Sequence, residues 1–404
     1  MKRTAKLILS VSLASILLTL TGCFSPIFYE IRKDVKPETA TVSGNIPNIT
    51  RYRTGDKEYL FLAADKGLRY KEAADEGHGS WGEYPLPFEL PSFNFDETAM
   101  NGQQVIAVIA NADTLYVAST EIATTGADGM TIPAKVNLWG RKIASSEGSP
   151  STEGEWTLIN KDLTKLFPLA YDSEEGEVSA NFNFFQTNAP IAAHRHAYFC
   201  SYDTEKDVYR YYELNGTSAP VEFTISKIED SEEDASKEKG RVHSAVYYNG
   251  AVRFFTTIAS TTDETYTTEA KRIYYGTDGT LKYIHDGITE EIVGTSSNIS
   301  AIMTCADAII LGKGNIKSGA GSGGIEKVAI IDGVPEKGTS EFSTNASFQI
   351  TNAYLVIAML NATPDRNETD SALYASITYF NKNGVFDNIG LWSYYPGRGN
   401  WNRE

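Results

Sequence analysis

The sequence predicts an all-β chain whose folded part is a single β-propeller, with six blades as the favoured count and seven as the alternative. From Ile46 onward, short runs rich in Tyr, Phe, Val, Ile and Thr alternate with turn dipeptides, and no long amphipathic helical stretch interrupts them. A strong apolar β run also recurs, mostly at intervals of roughly 45 to 55 residues, the length that four strands and their turns occupy in one blade. A closed ring of such blades would also remove the exposed sheet edges that invite aggregation.

The first 22 residues have the features of a secretory signal. Lys2, Arg3 and Lys6 precede an apolar stretch, residues 7–20, that contains no charged side chain. At about fourteen residues this stretch is too short to cross a hydrocarbon core of roughly 30 Å as a helix. We therefore expect residues 1–22 to direct export and then to be removed.

The segment Leu20-Thr21-Gly22-Cys23 resembles the lipobox of bacterial lipoproteins. The resemblance implies that Cys23 is acylated and becomes the first residue of the mature chain. Two or three acyl chains, at about 0.8 kcal/mol per buried methylene, give stable anchoring to a membrane. Phe24 follows the cysteine where an Asp would favour inner-membrane retention, so the analogy with Gram-negative sorting favours the outer membrane of the cell envelope. The alternative is an ordinary signal peptide with a chance cysteine.

Residues 23–45 are interpreted as the lipidated cysteine and a flexible tether, and residues 46–404 as the propeller domain. The clearest hairpin in that domain is centred on Asn249-Gly250, because both residues reach the positive φ of a primed turn at little cost. Asn215-Gly216 is a similar turn signal.

The recurring apolar run is interpreted as an inner-type strand of each blade, because another β run precedes each one and one or two more follow it. One longer interval, between the second and third runs, contains the acidic segment 172–177 and is taken as a blade with an insertion. The six runs are residues 59–62, 115–117, 197–200, 253–255, 308–311 and 354–357.

A Gly-x-Trp motif follows an aromatic strand at Trp81, Trp156 and Trp401. This order of strand, turn and Trp resembles the Asp-box hairpins of sialidase-type propellers, although the turn spacing varies and the Asp is often absent. The resemblance implies a structural clip within the blade and says little about activity. The Arg-Ile-Pro signature of that family does not occur in the sequence.

Charge and motifs exclude several function classes. The formal charge is −16 and falls to −19 when Lys2, Arg3 and Lys6 are removed with the signal, so the basic footprint of a nucleic-acid-binding protein is missing. The glycine-rich segment 319–324 contains a formal G-x-G-x-x-G but precedes a strand rather than a helix, so we interpret it as a loop without a dinucleotide. No catalytic, cofactor-binding or metal-ligating residue is assigned, and no cofactor is expected.

His194 and His196 stand two apart in a predicted strand and would project to one face, but no third metal ligand is indicated. The charged segment 228–240 lacks the ligand spacing of a calcium loop and is interpreted as a solvated excursion. Cys200 and Cys305 fall in the third and fifth predicted blades, too far apart for a disulfide, so we expect two buried free thiols.

The leading functional hypothesis is a membrane-anchored envelope lipoprotein with a non-catalytic binding or scaffolding propeller that has an envelope protein as its partner. The alternative is a glycan-binding or glycan-hydrolysing propeller. Exposed aromatic side chains and two facing carboxylates in a central pocket would favour glycan chemistry, whereas aromatic side chains packed between blades would count against it.

Overall fold

The computed structural model describes most of the chain from residue 40 onward. The predicted signal, the lipobox, Cys23 and most of the predicted tether lie outside the described residues. These residues are 40–44, 46–64, 67–73, 80–90, 102–121, 124–125, 131–132, 135–146, 149–167, 182–203, 206, 208–223, 226–227, 241–248, 251–258, 266–267, 274–277, 280–285, 288–293, 299–314, 321–342, 350–380, 386–396 and 400–404.

Each of the first three blades has four antiparallel strands, the second also carries two short side hairpins, and the third is joined to blade 4 by the parallel pairing of its first strand. Blade 1 contains β1 (Ile49–Thr54), β2 (Lys57–Ala64), β3 (Gly67–Glu72) and β4 (Gly82–Glu83). Blade 2 spans β5 (Gln103–Ala110), β6 (Leu115–Glu121), β7 (Thr124–Thr125), β8 (Thr131–Ile132), β9 (Val136–Arg141), β10 (Ser145–Ser146), β11 (Ser149–Pro150) and β12 (Thr157–Asn160). Blade 3 contains β13 (Asn183–Asn188), β14 (Ala197–Asp203), β15 (Val208–Leu214) and β16 (Val221–Phe223).

The remaining blades complete the chain. Blade 4 departs from a simple meander, because β19 and β21 pair in parallel, and a side pair joins β17 to β20. This region has β17 (Ser226–Lys227), β18 (Arg241–Tyr248), β19 (Ala251–Ile258), β20 (Tyr266–Thr267), β21 (Tyr274–Thr277), β22 (Thr280–His285) and β23 (Ile288–Val293). Blade 5 has β24 (Ile299–Thr304), β25 (Ala308–Lys313), β26 (Gly324–Ile331), β27 (Val334–Pro335) and β28 (Ser340–Glu341). Blade 6 has β29 (Tyr354–Asn361), β30 (Leu373–Phe380), β31 (Phe386–Tyr394) and β32 (Trp401–Arg403), and short 3₁₀ turns occur at Leu163–Leu166, Ala192–His194 and Glu368–Asp370.

The blades form a closed ring around a central axis. The first strands β1, β5, β13, β18, β24 and β29 contact one another in that order, and β29 returns to β1. The hydrophobic core of the described residues is divided in the same way, because each of its six clusters joins two neighbouring blades. The predicted all-β, six-bladed propeller is therefore confirmed. Among the described residues there is also no helix with the length and apolarity needed to span a membrane.

The recurring apolar runs, predicted to have one β run before them and one or two after them, occupy that position in five of the six blades. Those five lie in the second strands β2, β6, β14, β19 and β25, and only residues 354–357 lie in a first strand. A second strand pairs with a strand on each side, so neither of its edges is left without a partner. A first strand has one edge facing the axis.

Two predicted turns are confirmed by their flanking strands. β18 and β19 pair with Tyr248 opposite Ala251, the hairpin expected around Asn249-Gly250, although the two turn residues lie outside the described part. Gly216 adopts φ 56° between β15 and β16.

The ring is closed where the first described residues meet blade 6. The backbone of Val42 donates to Glu404 O at 2.8 Å and accepts from Leu391 N at 3.0 Å. Gly390 permits this approach, because its φ is 91° and a Cβ there would lie 2.3 Å from Val42 O. Ala40 and Val42 were placed in the tether by sequence, yet both are buried in this contact.

A buried polar network ties blade 1 to blade 6 at the same seam. Lys71 Nζ lies 2.6 Å from Glu404 Oε2, and only 2% and 7% of the two side chains are exposed. Trp81 Nε1 donates to the same carboxylate at 2.9 Å, and Ser393 Oγ donates to its other oxygen at 2.5 Å. The carboxylate thus has an opposite charge and several donors, as a buried charge requires.

Candidate functional site

A cavity of about 560 Å³ lies on the propeller axis. All six first strands, or the residues that directly precede them, contribute to its wall. Many lining residues lie near the beginnings of those strands, among them Pro47, Asn48, Phe182, Asn183 and Ser300. We call this side of the ring the strand-start face, and the side where first and second strands connect the hairpin face. A volume of this size is within the range of about 300–1,000 Å³ that small-molecule sites occupy.

β-Bulges shape the cavity wall. The first strands of blades 2, 4, 5 and 6 each shift register once, at 105/107, 242/244, 299/301 and 356/358. The extra residue in three of them, Ile106, Ser300 and Ile357, lines the cavity and is half-buried. A bulge bends its strand and redirects a side chain. The repeated shift therefore turns one residue toward the axis in each of blades 2, 5 and 6.

Polar side chains satisfy the strand edges that face the axis. Asn48 of blade 1 pairs through its amide with both backbone groups of Val108 in blade 2. Ser300 Oγ of blade 5 donates to Val356 O of blade 6 at 2.8 Å. An unpaired buried backbone group is costly. Polar residues in these first strands thus have a structural use as well as facing the cavity.

Gln186 lies in the cavity wall and joins three blades. Its Nε2 donates to Arg51 O at 2.8 Å and to Ala110 O at 2.6 Å. Its Oε1 accepts from Arg51 N at 3.0 Å. This blade 3 amide thereby reaches across to blades 1 and 2, with both amide hydrogens and its oxygen in use.

Beyond Gln186, an arginine–glutamate cluster closes the hairpin face. Arg195 forms a bidentate pair with Glu58, at 2.5 Å and 3.0 Å, and Arg51 Nε lies 3.5 Å from the same carboxylate. Arg51 Nη1 donates to Ala189 O at 3.0 Å, so blade 1 is tied to the loop between β13 and β14. Burial, followed by the neighbouring Arg195, lowers the pKa of Arg51 to about 10. Both arginines are almost fully buried.

The described lining of the cavity contains no Asp, Glu, His, Lys or Arg side chain. Blade 6 supplies an apolar wall through Leu355, Ile357 and Met359, while blades 3 and 4 supply amides and a hydroxyl. Two polar atoms on that second wall, Asn188 Oδ1 and Ser244 Oγ, are buried and have no hydrogen-bond partner. A buried acceptor without a partner is unfavourable unless water or a ligand meets it.

The histidine pair does not behave as the sequence suggested. His194 lies in a 3₁₀ turn rather than a strand, and its ring stacks on Tyr247 with centroids 4.1 Å apart. His196 Nδ1 instead contacts Glu213 Oε1 at 2.9 Å. The turn between β13 and β14 breaks the expected alternation, so the two rings have different partners. Among the described residues, no group of three or more His, Cys, Asp and Glu side chains is placed to hold a metal ion.

The three Gly-x-Trp tryptophans pack between blades. Each precedes or begins a fourth strand, and Trp81 belongs to the seam described above. Trp156 Nε1 donates to Pro85 O of blade 1 at 3.3 Å, and Trp401 packs against Phe342 of blade 5. These contacts agree with the structural clip that the Asp-box resemblance implies. None of the three lines the axial cavity.

The remaining sequence candidates have structural explanations or lie outside the described part. Cys200 and Cys305 are buried and free, as expected, and burial raises the pKa of the Cys305 thiol to about 12. In the glycine-rich segment, Gly323 N donates to Asn352 O at 3.1 Å, and a Cβ on Gly323 would lie 2.0 Å from Tyr354 O. β26 follows as the predicted strand. Segments 172–177 and 228–240 are outside the described residues.

The functional residues that sequence reasoning missed are Gln186, Asn188 and Ser244. The only sequence feature that could have indicated them was polarity within β runs. In β13, for example, Asn183, Gln186 and Asn188 share a short strand with two phenylalanines. Their use depends on which strand is innermost, and that order follows from packing rather than from local pattern.

Neither protein-family models nor curated protein sequences give a match to this chain. Among solved structures, a six-bladed fungal lectin from Aleuria aurantia, described with fucose recognition, is 8% identical with a TM-score of 0.36, covering 91% of this chain and 96% of the lectin. A glycosyl hydrolase from Bacteroides ovatus is 8% identical with a TM-score of 0.33, covering 88% and 86%. A glycoside hydrolase described as acting on β-1,2-mannosidic linkages in Candida mannan is 8% identical with a TM-score of 0.33, covering 89% and 86%. At these values, function has to be argued from the chain's own residues.

Proposed function

We propose that this chain is a lipid-anchored protein of the cell envelope whose propeller is a non-catalytic binding module with its ligand site in the axial cavity. The observation that carries the proposal is that the described lining of that cavity has no charged side chain but has two unpaired polar atoms. Acid–base and metal-assisted chemistry need titratable or ligating side chains, whereas binding of a neutral group does not. We take the strand-start face, where Pro47, Phe182 and Ser300 line the cavity, as the approach to it.

The anchor is proposed from the lipobox alone. Cys23 would carry the acyl chains, residues 1–22 would be removed, and the outer membrane is favoured over the inner membrane by Phe24. The test is metabolic labelling with a palmitate analogue, followed by membrane fractionation, for the natural chain and Cys23→Ser. We expect label and outer-membrane recovery for the natural chain only. Label retained in Cys23→Ser would contradict the assignment.

Two partner classes remain compatible with the binding module. An envelope protein would dock on one face of the ring, and a glycan would place a saccharide unit in the cavity. The amide and hydroxyl groups beside an apolar wall favour glycan binding as the second candidate. Glycan hydrolysis is not proposed, because an Asp/Glu pair flanks the scissile bond in most glycosidases and the described lining offers no carboxylate.

The experiment that tests the binding function is site-specific photo-cross-linking in cells. A photo-reactive residue would replace Asn352 at the strand-start face, Ile191 at the hairpin face or Leu158 on the blade 2 rim, all of which are exposed. We expect a reproducible cross-linked protein or glycan from position 352, and none from the rim. Cross-links from Ile191 alone would move the site to the hairpin face. Equal yields at all three positions would contradict a specific site.

A further inference from the structure

We infer that the axial cavity selects an uncharged saccharide unit and that Asn188 and Ser244 accept hydrogen bonds from its hydroxyl groups. The inference rests on the proposed binding function and adds the ligand class and the residues that recognise it. The cavity has two unlike walls, and each places a requirement on the ligand.

The polar wall belongs to blades 3 and 4. β13 and β18 pair directly there, with Asn188 opposite Val246, so Asn188 and Ser244 lie on adjacent, hydrogen-bonded strands. Asn188 is 94% buried, and its Oδ1 has no partner; Ser244 Oγ also has none. The other amides of the wall are already bonded, Gln186 to Arg51 and Ala110, and Asn183 to Val242 O. The two free acceptors therefore call for a ligand that donates hydrogen bonds.

The apolar wall lies across the axis on blade 6. Ile357 and Met359 are half-buried there, and Ile106 of blade 2 extends the surface. A group that donates hydrogen bonds on one side and presents C–H surface on the other fits between these walls. A pyranose ring has that composition, and the cavity volume of about 560 Å³ is ample for a small-molecule ligand.

The absence of charge among the described lining residues sets the selectivity. A carboxylate or ammonium group transferred from water into this cavity would lose hydration without an opposite charge to replace it. Uronic acids and amino sugars should therefore bind more weakly than the neutral sugar of the same ring. The arginines nearest to the axis, Arg51 and Arg195, lie beyond Gln186 and are engaged by Glu58 and backbone carbonyls.

The test is saturation-transfer NMR on the detergent-solubilised full chain. The neutral probes are methyl glycosides of glucose, galactose and mannose, and the charged probes are the methyl glycosides of the corresponding uronic acids and 2-amino sugars. We expect at least one neutral probe to bind, with each charged congener of that probe about tenfold weaker or more. Asn188→Leu should weaken the neutral probe about tenfold and Ser244→Ala several-fold, in line with lost hydrogen bonds in a buried site. Equal binding of charged and neutral probes, or binding unchanged in Asn188→Leu, would overturn the inference.

Matched controls come from the exposed turn between β15 and β16 of the same blade. Asn215→Leu and Ser218→Ala make the same chemical changes away from the cavity and should leave binding unchanged. Nile red, a neutral apolar dye, separates failure of the ligand class from failure of the site. Dye binding that is lost in Ile357→Arg and Ile106→Arg, without any sugar binding, would overturn the saccharide class and retain the binding function. No binding of either probe type by the folded wild-type chain would overturn both proposals.

Discussion

The two ends of the propeller axis are built in opposite ways. At the hairpin face, Arg51, Glu58, Arg195 and Gln186 form a compact polar cluster in which nearly every group has a partner. Elsewhere along the axis, the first strands enclose about 560 Å³, where the described lining has no charged side chain and two unpaired polar atoms.

This difference indicates that the two ends of the axis have different roles. A buried ion pair adds little net stability, because the attraction between its charges is offset by their desolvation cost. Removal of one partner is strongly destabilising, so the hairpin end is fixed in one arrangement. Unpaired buried polar groups differ from this, because they lower the free energy of unfolding until a ligand forms a hydrogen bond with them. Substitutions at the closed end should therefore affect folding, and those at the open end should affect binding.

The largest effect is expected for Glu58→Gln at the closed end. The substitution leaves Arg51 and Arg195 buried without their shared carboxylate, so we expect the free energy of unfolding to fall by about 3–5 kcal/mol. Denaturant unfolding followed by tryptophan fluorescence measures it. Glu72→Gln is the matched control, because the Lys57–Glu72 pair is exposed to solvent and should contribute little to stability. Equal losses in the two variants would contradict a special role for the cluster.

Gln186→Leu should have the next largest effect. It removes three hydrogen bonds and leaves the Arg51 N–H and C=O groups without partners, which corresponds to a loss of about 2–3 kcal/mol. Gln186→Glu should be at least as harmful, because a carboxylate cannot donate to Arg51 O and Ala110 O. Gln104→Leu on β5 serves as the control for side-chain size. A loss below about 1 kcal/mol in Gln186→Leu would mean that the hydrogen bonds of Gln186 do not stabilise the junction of blades 1, 2 and 3.

The sequence predicts the overall fold better than it predicts the site residues that make up this contrast. The β runs, the turn at Gly216 and the blade period predicted the ring, because these features follow from local pattern. The Gly-x-Trp motifs predicted clips, and Trp81, Trp156 and Trp401 do pack between blades. The recurring apolar runs marked the second strand of five blades, which pairs on both sides, and in blade 6 the run lies in the first strand instead.

The site itself was not predictable from local pattern. Arg51 and Arg195 are 144 positions apart in the sequence, and only closure of the ring brings them to one carboxylate. His194 and His196 show the converse, since a regular alternation implied a shared face that the 3₁₀ turn removes. Inward-facing residues depend on bulges at Ile106, Ser300 and Ile357, and a bulge leaves little trace in composition.

Ser300→Ala tests the cavity wall between blades 5 and 6, and its expected effect on the free energy of unfolding is smaller. Its hydroxyl is within hydrogen-bond distance of Val356 O at 2.8 Å and Gly312 O at 3.1 Å, so its removal should cost about 1 kcal/mol of unfolding free energy. Thermal and denaturant unfolding measure it, with Ser218→Ala as an exposed control. An effect as large as that of Gln186→Leu would show that the open end is fixed as firmly as the closed end.

The smallest change in stability, and the sharpest test of the contrast, is expected for Asn188→Leu. Leucine has similar volume and removes an acceptor that is buried without a partner, so the free energy of unfolding should change by less than about 0.5 kcal/mol or should increase. The same variant should weaken saccharide binding about tenfold. A structural asparagine would give the reverse pattern, with a loss above about 1 kcal/mol and no selective effect on binding. Glu58→Gln, by contrast, should lower the free energy of unfolding at the other end of the same axis. The two variants together therefore distinguish residues that stabilise the fold from residues that bind the ligand.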